Sequence, residues 1–233
     1  MDWRTIIGQA SLKKQLTELV KQNRLSHALL LVGKEGAGAL PLANAFAQYL
    51  VCEQAISSSL DEPCGQCSGC KKSMELVHPD IHFSYPTVTR KPGEKPVATD
   101  FIREWRDFLS QHSYGNLFDW IELIKEKDNS QGKITAEECN DIIRKLSLKS
   151  FESPWKILIL WHPELMGNEG NKLLKLIEEP PPQTILLLIS ESEINLLPTI
   201  VSRCQLIKVP PLENAVIEKA LIERNKTAPE LAQ

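Results

Sequence analysis

Four of the six cysteines lie in one short stretch of the chain, and their spacing is that of metal ligands. Cys52 is followed after eleven residues by Cys64, and Cys67 and Cys70 continue at two-residue gaps. A C-x-x-C unit brings two sulfurs to one ion, and four thiolates suit tetrahedral zinc. A closed shell of four sulfurs leaves no coordination position for a substrate, so the spacing predicts a structural zinc site.

Two other interpretations of this cysteine cluster stay open at the level of sequence. The thiols could be free in a loop, or they could hold an iron–sulfur cluster, although the additional Cys-Pro of ferredoxin-type runs is absent nearby. Disulfides are disfavoured, because clustered cysteines in a chain whose start shows no signal-peptide pattern indicate metal or redox chemistry. His78 and His82 follow the cluster and are interpreted as ordinary surface or strand histidines.

A glycine-rich loop has the spacing of a phosphate-binding loop, G-x-x-x-x-G-K-[ST]. In such a loop the backbone N–H groups cradle phosphate, the lysine neutralises the outer phosphates and the hydroxyl binds magnesium. The glycines are present as Gly33, Gly36 and Gly38, but Ala39 stands at the lysine position and Leu40 at the hydroxyl position. The loop is therefore predicted to be degenerate.

The missing lysine has a large expected effect on affinity. Lys34 lies too early in the loop to replace it. Removing one member of a buried charge pair costs about 3–5 kcal/mol, which is on the order of 10²–10³ in affinity. We expect a loop that keeps the fold without binding or hydrolysing ATP; residual anion binding at the helix N-terminus is the alternative.

Apolar periodicity places these features in an alternation of strands and helices. The alternation predicts an α/β fold with a doubly wound parallel sheet. Residues 53–70 are predicted to be a loop, and residues 85–133 a partly helical insertion with Trp105 and Trp120 as packing residues. Trp155 is also assigned to packing. Strands are predicted at 27–32, 78–84, 155–161, 184–190 and 205–209, and helices at 5–27, 41–52, 134–148, 168–179 and 213–225.

In combination and order, the motifs resemble those of the AAA+ family, and within it the delta-prime subunits of bacterial DNA polymerase III clamp loaders. The matching segments are residues 7–9 (Ile-Gly-Gln), 25–28 (Leu-Ser-His-Ala), the glycine loop, the cysteine cluster, 78–80 (His-Pro-Asp), 171–181 and 202–204 (Ser-Arg-Cys).

The resemblance implies a domain organisation. It implies an AAA+ (RecA-like) P-loop-type domain over residues 1–210, with an inserted zinc module at 52–70 and an insertion at about 86–133. Residues 211–233 are the expected start of a helical lid, and the collar domain of the family is expected to be absent from this chain. It also supports zinc in the cysteine cluster, because clamp loader subunits carry a similar module.

The resemblance also exposes a second departure from an active ATPase. Where acidic residues should end a strand and hold magnesium, the chain reads Trp161, His162, Pro163 and Glu164. Both departures remove the same chemistry, which implies a subunit that is not an enzyme. Ser190, where active members place a nucleotide-sensing residue, is interpreted as structural.

Arg203 lies in the Ser-Arg-Cys segment, whose arginine in the family reaches the nucleotide of an adjacent subunit. A planar guanidinium suits phosphate oxygens, and an arginine supplied in trans contributes about 10³–10⁵ in rate. The competing interpretation is a surface arginine paired with a carboxylate.

Composition excludes several classes of protein. The 233 residues carry a net charge of −3 with 42% hydrophobic and 24% charged residues, so the chain is globular and has no basic excess for nucleic acid or an anionic membrane. Its longest apolar runs, residues 157–161 and 185–189, are too short to span a bilayer. We expect a cytoplasmic protein.

Together these observations predict a non-catalytic clamp loader subunit in DNA replication that supplies Arg203 to a neighbouring ATPase subunit. Its expected partners are the motor (gamma/tau) and delta subunits, with the sliding clamp and primer–template DNA as partners of the whole assembly. Two alternatives remain: a divergent but active AAA+ ATPase, and a zinc-knuckle interaction module unrelated to replication.

Overall fold

Five short strands form one sheet at the centre of the molecule. The computed structural model describes residues 2–91, 93–126 and 130–225, and in these residues the strand order is β2-β3-β4-β1-β5. Every pair of neighbouring strands is parallel, which confirms the predicted doubly wound sheet. The strands are Ala28–Val32 (β1), Ile81–Ser84 (β2), Lys156–Trp161 (β3), Thr184–Ser190 (β4) and Gln205–Lys208 (β5).

Helices flank the sheet and form two separate cores. Successive residues of a strand point to opposite faces, so Leu29 and Leu31 enter one core while Ala28 and Leu30 enter the other. Every residue of β3 and β4 is buried, as expected for parallel strands covered on both sides. The helices are Ala10–Lys21 (α1), Ala39–Leu50 (α2), Glu53–Ser58 (α3), Ser68–Met74 (α4), Ile102–Gln111 (α5), Leu117–Ile124 (α6), Ala136–Ser147 (α7), Leu174–Glu178 (α8), Pro198–Val201 (α9) and Asn214–Asn225 (α10).

Two predicted helices are shorter than their apolar pattern indicated. The first begins only at Ala10, because Gly8 and Gln9 have positive φ angles of 61° and 56°. The helix predicted over 168–179 is mostly a 3₁₀ segment, Pro163–Leu173, followed by the short α8. Gly167 interrupts that segment with φ 52° and ψ −135°, a conformation that ends regular helical hydrogen bonding.

The prediction of a loop at 53–70 is wrong at both of its ends, where α3 and α4 form. The Cys52 sulfur accepts a hydrogen bond from the Ala55 N–H at 3.3 Å, and the Cys67 sulfur accepts one from the Cys70 N–H at 3.4 Å. Both thiols therefore act as N-caps, a role for which Ser, Thr, Asp and Asn are the usual signals.

The insertion folds against the sheet as a helical hairpin. An isolated antiparallel bridge between Thr87 and Lys133 closes its base, and α5 and α6 form its two arms. Trp105 and Trp120 are fully buried in it, as predicted, with ring centroids 5.1 Å apart. Trp155 is half-buried against the core.

The chain after the sheet continues into α10, in agreement with the helix predicted at 213–225. Residues 226–233, the remainder of the predicted lid, lie outside the described residues, as do Met1, Pro92 and residues 127–129 of the insertion. Among the described residues, no helix has both the length and the apolar character needed to cross a membrane.

Candidate functional site

The four clustered cysteines converge on one point beside the C-terminal end of α2. Cys52 lies between α2 and α3, Cys64 and Cys67 lie in the following turn, and Cys70 lies in α4. Their sulfur atoms all lie within 4.8 Å of one another. The fold therefore assembles one compact four-sulfur group from residues that are up to eighteen positions apart in the chain.

The sulfur spacing fits a metal ion rather than a disulfide. The Cys64 and Cys70 sulfurs are 3.9 Å apart, far beyond the roughly 2.05 Å of an S–S bond. A tetrahedral ion with metal–sulfur bonds of about 2.3 Å needs sulfurs separated by about 3.8 Å. Backbone N–H groups of Cys64 and Cys67 donate to sulfurs of the cluster at 3.3 Å and favour the thiolate form. These four residues could hold one metal ion.

Burial and backbone hydrogen bonds act in opposite directions on the thiols. Burial raises the pKa of Cys67 and of Cys70 above the ordinary value. Burial also acts to raise the pKa of Cys64, but hydrogen bonds from the Gln66 and Cys67 backbone N–H groups outweigh it and lower that pKa to about 7. Four thiolates at this spacing need a bound cation, which deprotonates coordinating thiols outright.

The two nearby histidines are not part of the four-sulfur group. His82 lies in β2, as predicted, and burial lowers its pKa to about 4. The prediction of a surface or strand position is wrong for His78, which lies before β2 and is 5% exposed. Its Nε2 atom packs beside Gly69 of α4, and its Nδ1 atom accepts a hydrogen bond from the Asp80 N–H at 3.1 Å.

Asp80 is a structural residue whose role sequence reasoning missed. Its carboxylate accepts hydrogen bonds from the backbone N–H groups of Phe151, Glu152 and Ser153. Although burial acts to raise the pKa of Asp80, these hydrogen bonds lower it below the usual range. Asp80 thereby fixes the turn that leads into β3. A carboxylate just before a strand was the available signal, but its three partners are more than 70 residues away.

The glycine loop joins β1 to α2 in the position of a phosphate-binding loop. Gly36 and Gly38 have φ angles of 76° and 87°, which glycine adopts at little cost. The Gly33 N–H donates to the Ser190 carbonyl at 3.1 Å and so anchors the loop to β4. Ala39 and Leu40 follow as buried residues of the first turn of α2. The loop thus connects a strand to a helix with glycines at the expected spacing, and apolar side chains begin the helix.

The ends of β3 and β4 lie beside this loop, and Glu191, directly after β4, is an acidic residue that lines the same space. Trp161 ends β3 and is 5% exposed. The carboxylate of Glu164 lies 2.8 Å from the His162 Nδ1 atom and accepts a hydrogen bond from the Ser190 hydroxyl at 2.9 Å. The Ser190 side chain is thus hydrogen-bonded within its own chain, and its structural role stays a prediction.

Arg203 and the glycine loop lie at opposite ends of the parallel strands. Leu29 of β1 pairs with Gln205, the first residue of β5, and Arg203 lies in the turn just before β5, whereas the loop follows the last residue of β1. The two features are therefore separated by at least the four paired residues of β1 and β5, about 13 Å at roughly 3.3 Å per residue. The guanidinium Nε donates to a carboxylate oxygen of Glu178 at 3.1 Å, and both side chains are partly exposed. Arg203 therefore cannot serve the loop of its own chain.

Comparison with known proteins agrees with these observations. The family model described as DNA polymerase III, delta subunit matches residues 8–213. DNA polymerase III subunit delta' of Bacillus subtilis is 30% identical over 226 residues, which are 97% of this chain and 54% of that protein. The same subunit of Pseudomonas aeruginosa is 31% identical over 180 residues, 77% of this chain and 42% of that protein.

A solved structure shares the fold. A DNA polymerase III gamma subunit-related protein from Thermotoga maritima superposes with a TM-score of 0.50 at 16% identity, covering 94% of this chain and 57% of that one. This likeness supports the AAA+ fold alone. The chain spans about half the length of the curated relatives it matches. Since the family model covers nearly all of the sheet and its helices, the chain belongs to the family of DNA polymerase III delta subunits.

Proposed function

We propose that this chain is a non-catalytic subunit of a DNA polymerase III clamp loader that supplies Arg203 to the ATP site of a neighbouring subunit. The observation that carries the proposal is the placement of Arg203. Arg203 lies before the N-terminal end of β5, whereas the glycine loop follows the C-terminal end of β1. The glycine loop of this chain also lacks the lysine and the hydroxyl of a nucleotide site. The phosphate target of Arg203 must then belong to another chain.

The absence of ATP turnover follows from three residues in one place. Ala39 cannot neutralise phosphate, Leu40 cannot bind magnesium, and Trp161 stands where a magnesium-binding acid is expected. A glycine loop without these groups offers only backbone N–H groups, which do not by themselves hold Mg-ATP in a hydrolysable geometry.

The ion pair with Glu178 is compatible with a role in trans. Partly exposed pairs of this kind contribute about 0.2–1 kcal/mol. Charge-assisted bidentate contacts of a guanidinium with phosphate oxygens are stronger. A neighbouring nucleotide can therefore displace Glu178. In this chain the guanidinium also donates to the Thr199 carbonyl at 3.1 Å, a contact that would have to be exchanged as well.

For the cysteine cluster we propose structural zinc held by Cys52, Cys64, Cys67 and Cys70. The donor set is all sulfur, and its spacing fits the tetrahedral radius of zinc. Zinc would hold α3 and α4 against the end of α2. No substrate position remains once four sulfurs are bound, so the metal would have no catalytic part.

The proposed partners follow from the relatives. DNA polymerase III subunit tau of Bacillus subtilis is 26% identical over 86% of this chain, so the motor subunits of the loader share this domain. We place the chain in a ring with these gamma/tau subunits and the delta subunit, and the whole assembly would act on the sliding clamp and primer–template DNA in the cytoplasm. Within the chain, residues 1–210 would form the AAA+ domain and 211–233 the start of a lid.

The proposal is tested in a reconstituted loader that carries the full-length subunit with Arg203→Ala. We expect DNA- and clamp-stimulated ATP turnover to fall at least threefold but not to vanish, because other subunits retain their own sites. Arg203→Lys should be nearly as damaging, since lysine lacks the planar fork. Arg24→Ala, which removes another exposed arginine, is the matched control. Unchanged turnover in the Arg203→Ala loader would refute the trans role.

A further inference from the structure

The insertion places an aromatic ring directly against the glycine loop. Tyr114 lies in the turn between α5 and α6, and a Cβ atom built on Gly38 would lie 2.9 Å from its Cε1 atom. The backbone N–H of Ile7 donates to the Tyr114 hydroxyl oxygen at 2.8 Å. The glycine loop therefore packs against the ring carbons of Tyr114, and the N-terminal segment holds its hydroxyl group.

A second side chain of the same turn binds the loop. The Asn116 Nδ2 donates to the Glu35 carboxylate, while the Asn116 Oδ1 accepts a hydrogen bond from the Asp119 N–H at 2.8 Å and caps α6. One residue thus both starts the second arm of the hairpin and holds it to the glycine loop. Contacts at Glu35 and at Gly38 span most of the loop.

Trp161 packs against the hairpin and holds it beside the glycine loop. The indole of Trp161 packs on Trp105 and Phe108 of α5, with centroid distances of 5.4 Å and 5.9 Å. Gly115 permits the sharp return of the chain, because a Cβ atom there would lie 2.8 Å from the Phe108 ring. The residue that replaces the magnesium-binding acid is therefore the anchor of the insertion.

Little room remains between these groups. The space lined by the glycine loop, Tyr114 and Trp161 has a volume of about 40 Å³. Pockets that hold organic ligands measure about 300–1,000 Å³. The Tyr114 ring therefore takes up the space against Gly38 and the first turn of α2, whereas a larger cavity of about 790 Å³ adjoins the loop at Gly33 and Lys34.

We propose that Tyr114 is an internal ligand of the former nucleotide site: the insertion fills the pocket and braces the glycine loop where a nucleotide would otherwise do so. The bracing extends beyond the loop. Gln9, two residues after Ile7, donates from its Nε2 atom to the carbonyls of Ala37 at 2.9 Å and of Pro210 at 2.7 Å. The ring thus stabilises a segment that links the loop to the chain entering α10.

The inference concerns the isolated chain and does not rest on assembly into a loader. It is tested by Tyr114→Gly, which empties the pocket, with p-cresol as a probe that restores the lost ring. Phe118→Ala is the matched control, because Phe118 is an aromatic residue of the same hairpin that is 69% exposed and does not line the pocket. Thermal unfolding and calorimetry are measured on all three proteins.

We expect Tyr114→Gly to unfold several degrees below the wild-type chain. At about ten times its Kd, p-cresol should raise the midpoint of Tyr114→Gly by about 3–6 °C and leave wild-type and Phe118→Ala unchanged. ADP should bind Tyr114→Gly at least tenfold more tightly than wild-type. Equal p-cresol shifts in wild-type and Tyr114→Gly, or ADP binding as tight in wild-type as in the variant, would overturn the proposal.

A second variant keeps the test decisive if Tyr114→Gly does not fold. Tyr114→Phe retains the ring and removes only the acceptor for the Ile7 N–H. Hydrogen exchange at the Ile7 amide should become at least tenfold faster, while the variant still excludes ADP and p-cresol. An unchanged Ile7 exchange rate would contradict the contact. Failure of this inference leaves the role of Arg203 untouched, since Ala39 and Leu40 alone remove ATP chemistry.

Discussion

The two ends of α2 lead into two candidate sites that differ in the side chains they carry. At its N-terminal end the glycine loop has two glycines with positive φ, and the buried apolar residues Ala39 and Leu40 follow it. Just beyond its C-terminal end the cysteine cluster brings together four sulfurs that could hold a metal ion. Both sites lie on one helix, so the difference reflects what each site contributes to the fold.

The packing around each site explains this difference. All residues of α2 are buried, and the loop before it is held by β4 and by the insertion, so the helix needs no nucleotide to stay in place. The short helices α3 and α4 have few apolar residues and are capped by sulfur atoms. The core around α2 therefore does not depend on a bound ligand, whereas α3 and α4 would gain most from one.

The largest expected effect is on the cysteine side. Cys70→Ala should abolish binding of one zinc per chain and destabilise the fold by more than 3 kcal/mol, because structural zinc supplies folding free energy directly. Elemental analysis and thermal unfolding, with and without a chelator, measure both quantities. Cys204→Ser, which alters a cysteine outside the cluster, should retain the metal. Iron, or no metal, in protein purified without chelator would contradict the proposed zinc site.

A smaller effect is expected at Asp80, which holds the turn beside the cluster. Asp80→Asn should cost about 2–4 kcal/mol, since hydrogen bonds to a charged acceptor contribute about 1.5–3 kcal/mol each. The pKa of Asp80 is lowered in the folded chain, so its contribution is present above the ordinary carboxyl pKa and is lost as pH falls through the lowered value. Urea unfolding from pH 7 to pH 3 should show wild-type and Asp80→Asn converging; parallel curves would contradict this.

At the glycine loop we expect backbone substitutions to change the free energy of unfolding, although Ala39 and Leu40 offer no group for phosphate or magnesium. Gly38→Ala combines a left-handed φ with a clash against Tyr114, whereas Gly36→Ala carries the left-handed φ but meets nothing within 4 Å. We expect costs of about 2–3 kcal/mol and about 1 kcal/mol, respectively. Equal unfolding free energies for the two variants would show that the insertion does not press on the loop.

The smallest expected effect is that of ATP itself. Because Ala39 and Leu40 cannot bind phosphate or magnesium, 1 mM (about physiological) Mg-ATP should change the unfolding midpoint of the chain by less than about 1 °C. Thermal unfolding and calorimetry check this directly. Micromolar, magnesium-dependent binding would instead indicate a divergent but active ATPase.

Sequence alone determined the features that depend on neighbouring residues. The order of strands and helices, the glycine spacing and the C-x-x-C units are local patterns, and the sheet and the four-sulfur group agree with them. Predictions from local patterns were wrong at two helix starts with unusual capping residues and at one break inside a predicted helix. The α3 and α4 caps are sulfur atoms, and the break at Gly167 lies inside an apolar pattern that indicated a continuous helix.

Only the tertiary structure decided which residues the insertion contacts and at which end of the strands each candidate site lies. Tyr114 is separated from Ile7 by 107 residues, and Arg203 is opposite the glycine loop only because β5 runs parallel to β1. The burial of His78 likewise depends on α4 folding over it. Periodicity and ligand spacing arise from the geometry of adjacent residues, whereas these contacts arise from how the crossovers arrange strands that are distant in the chain.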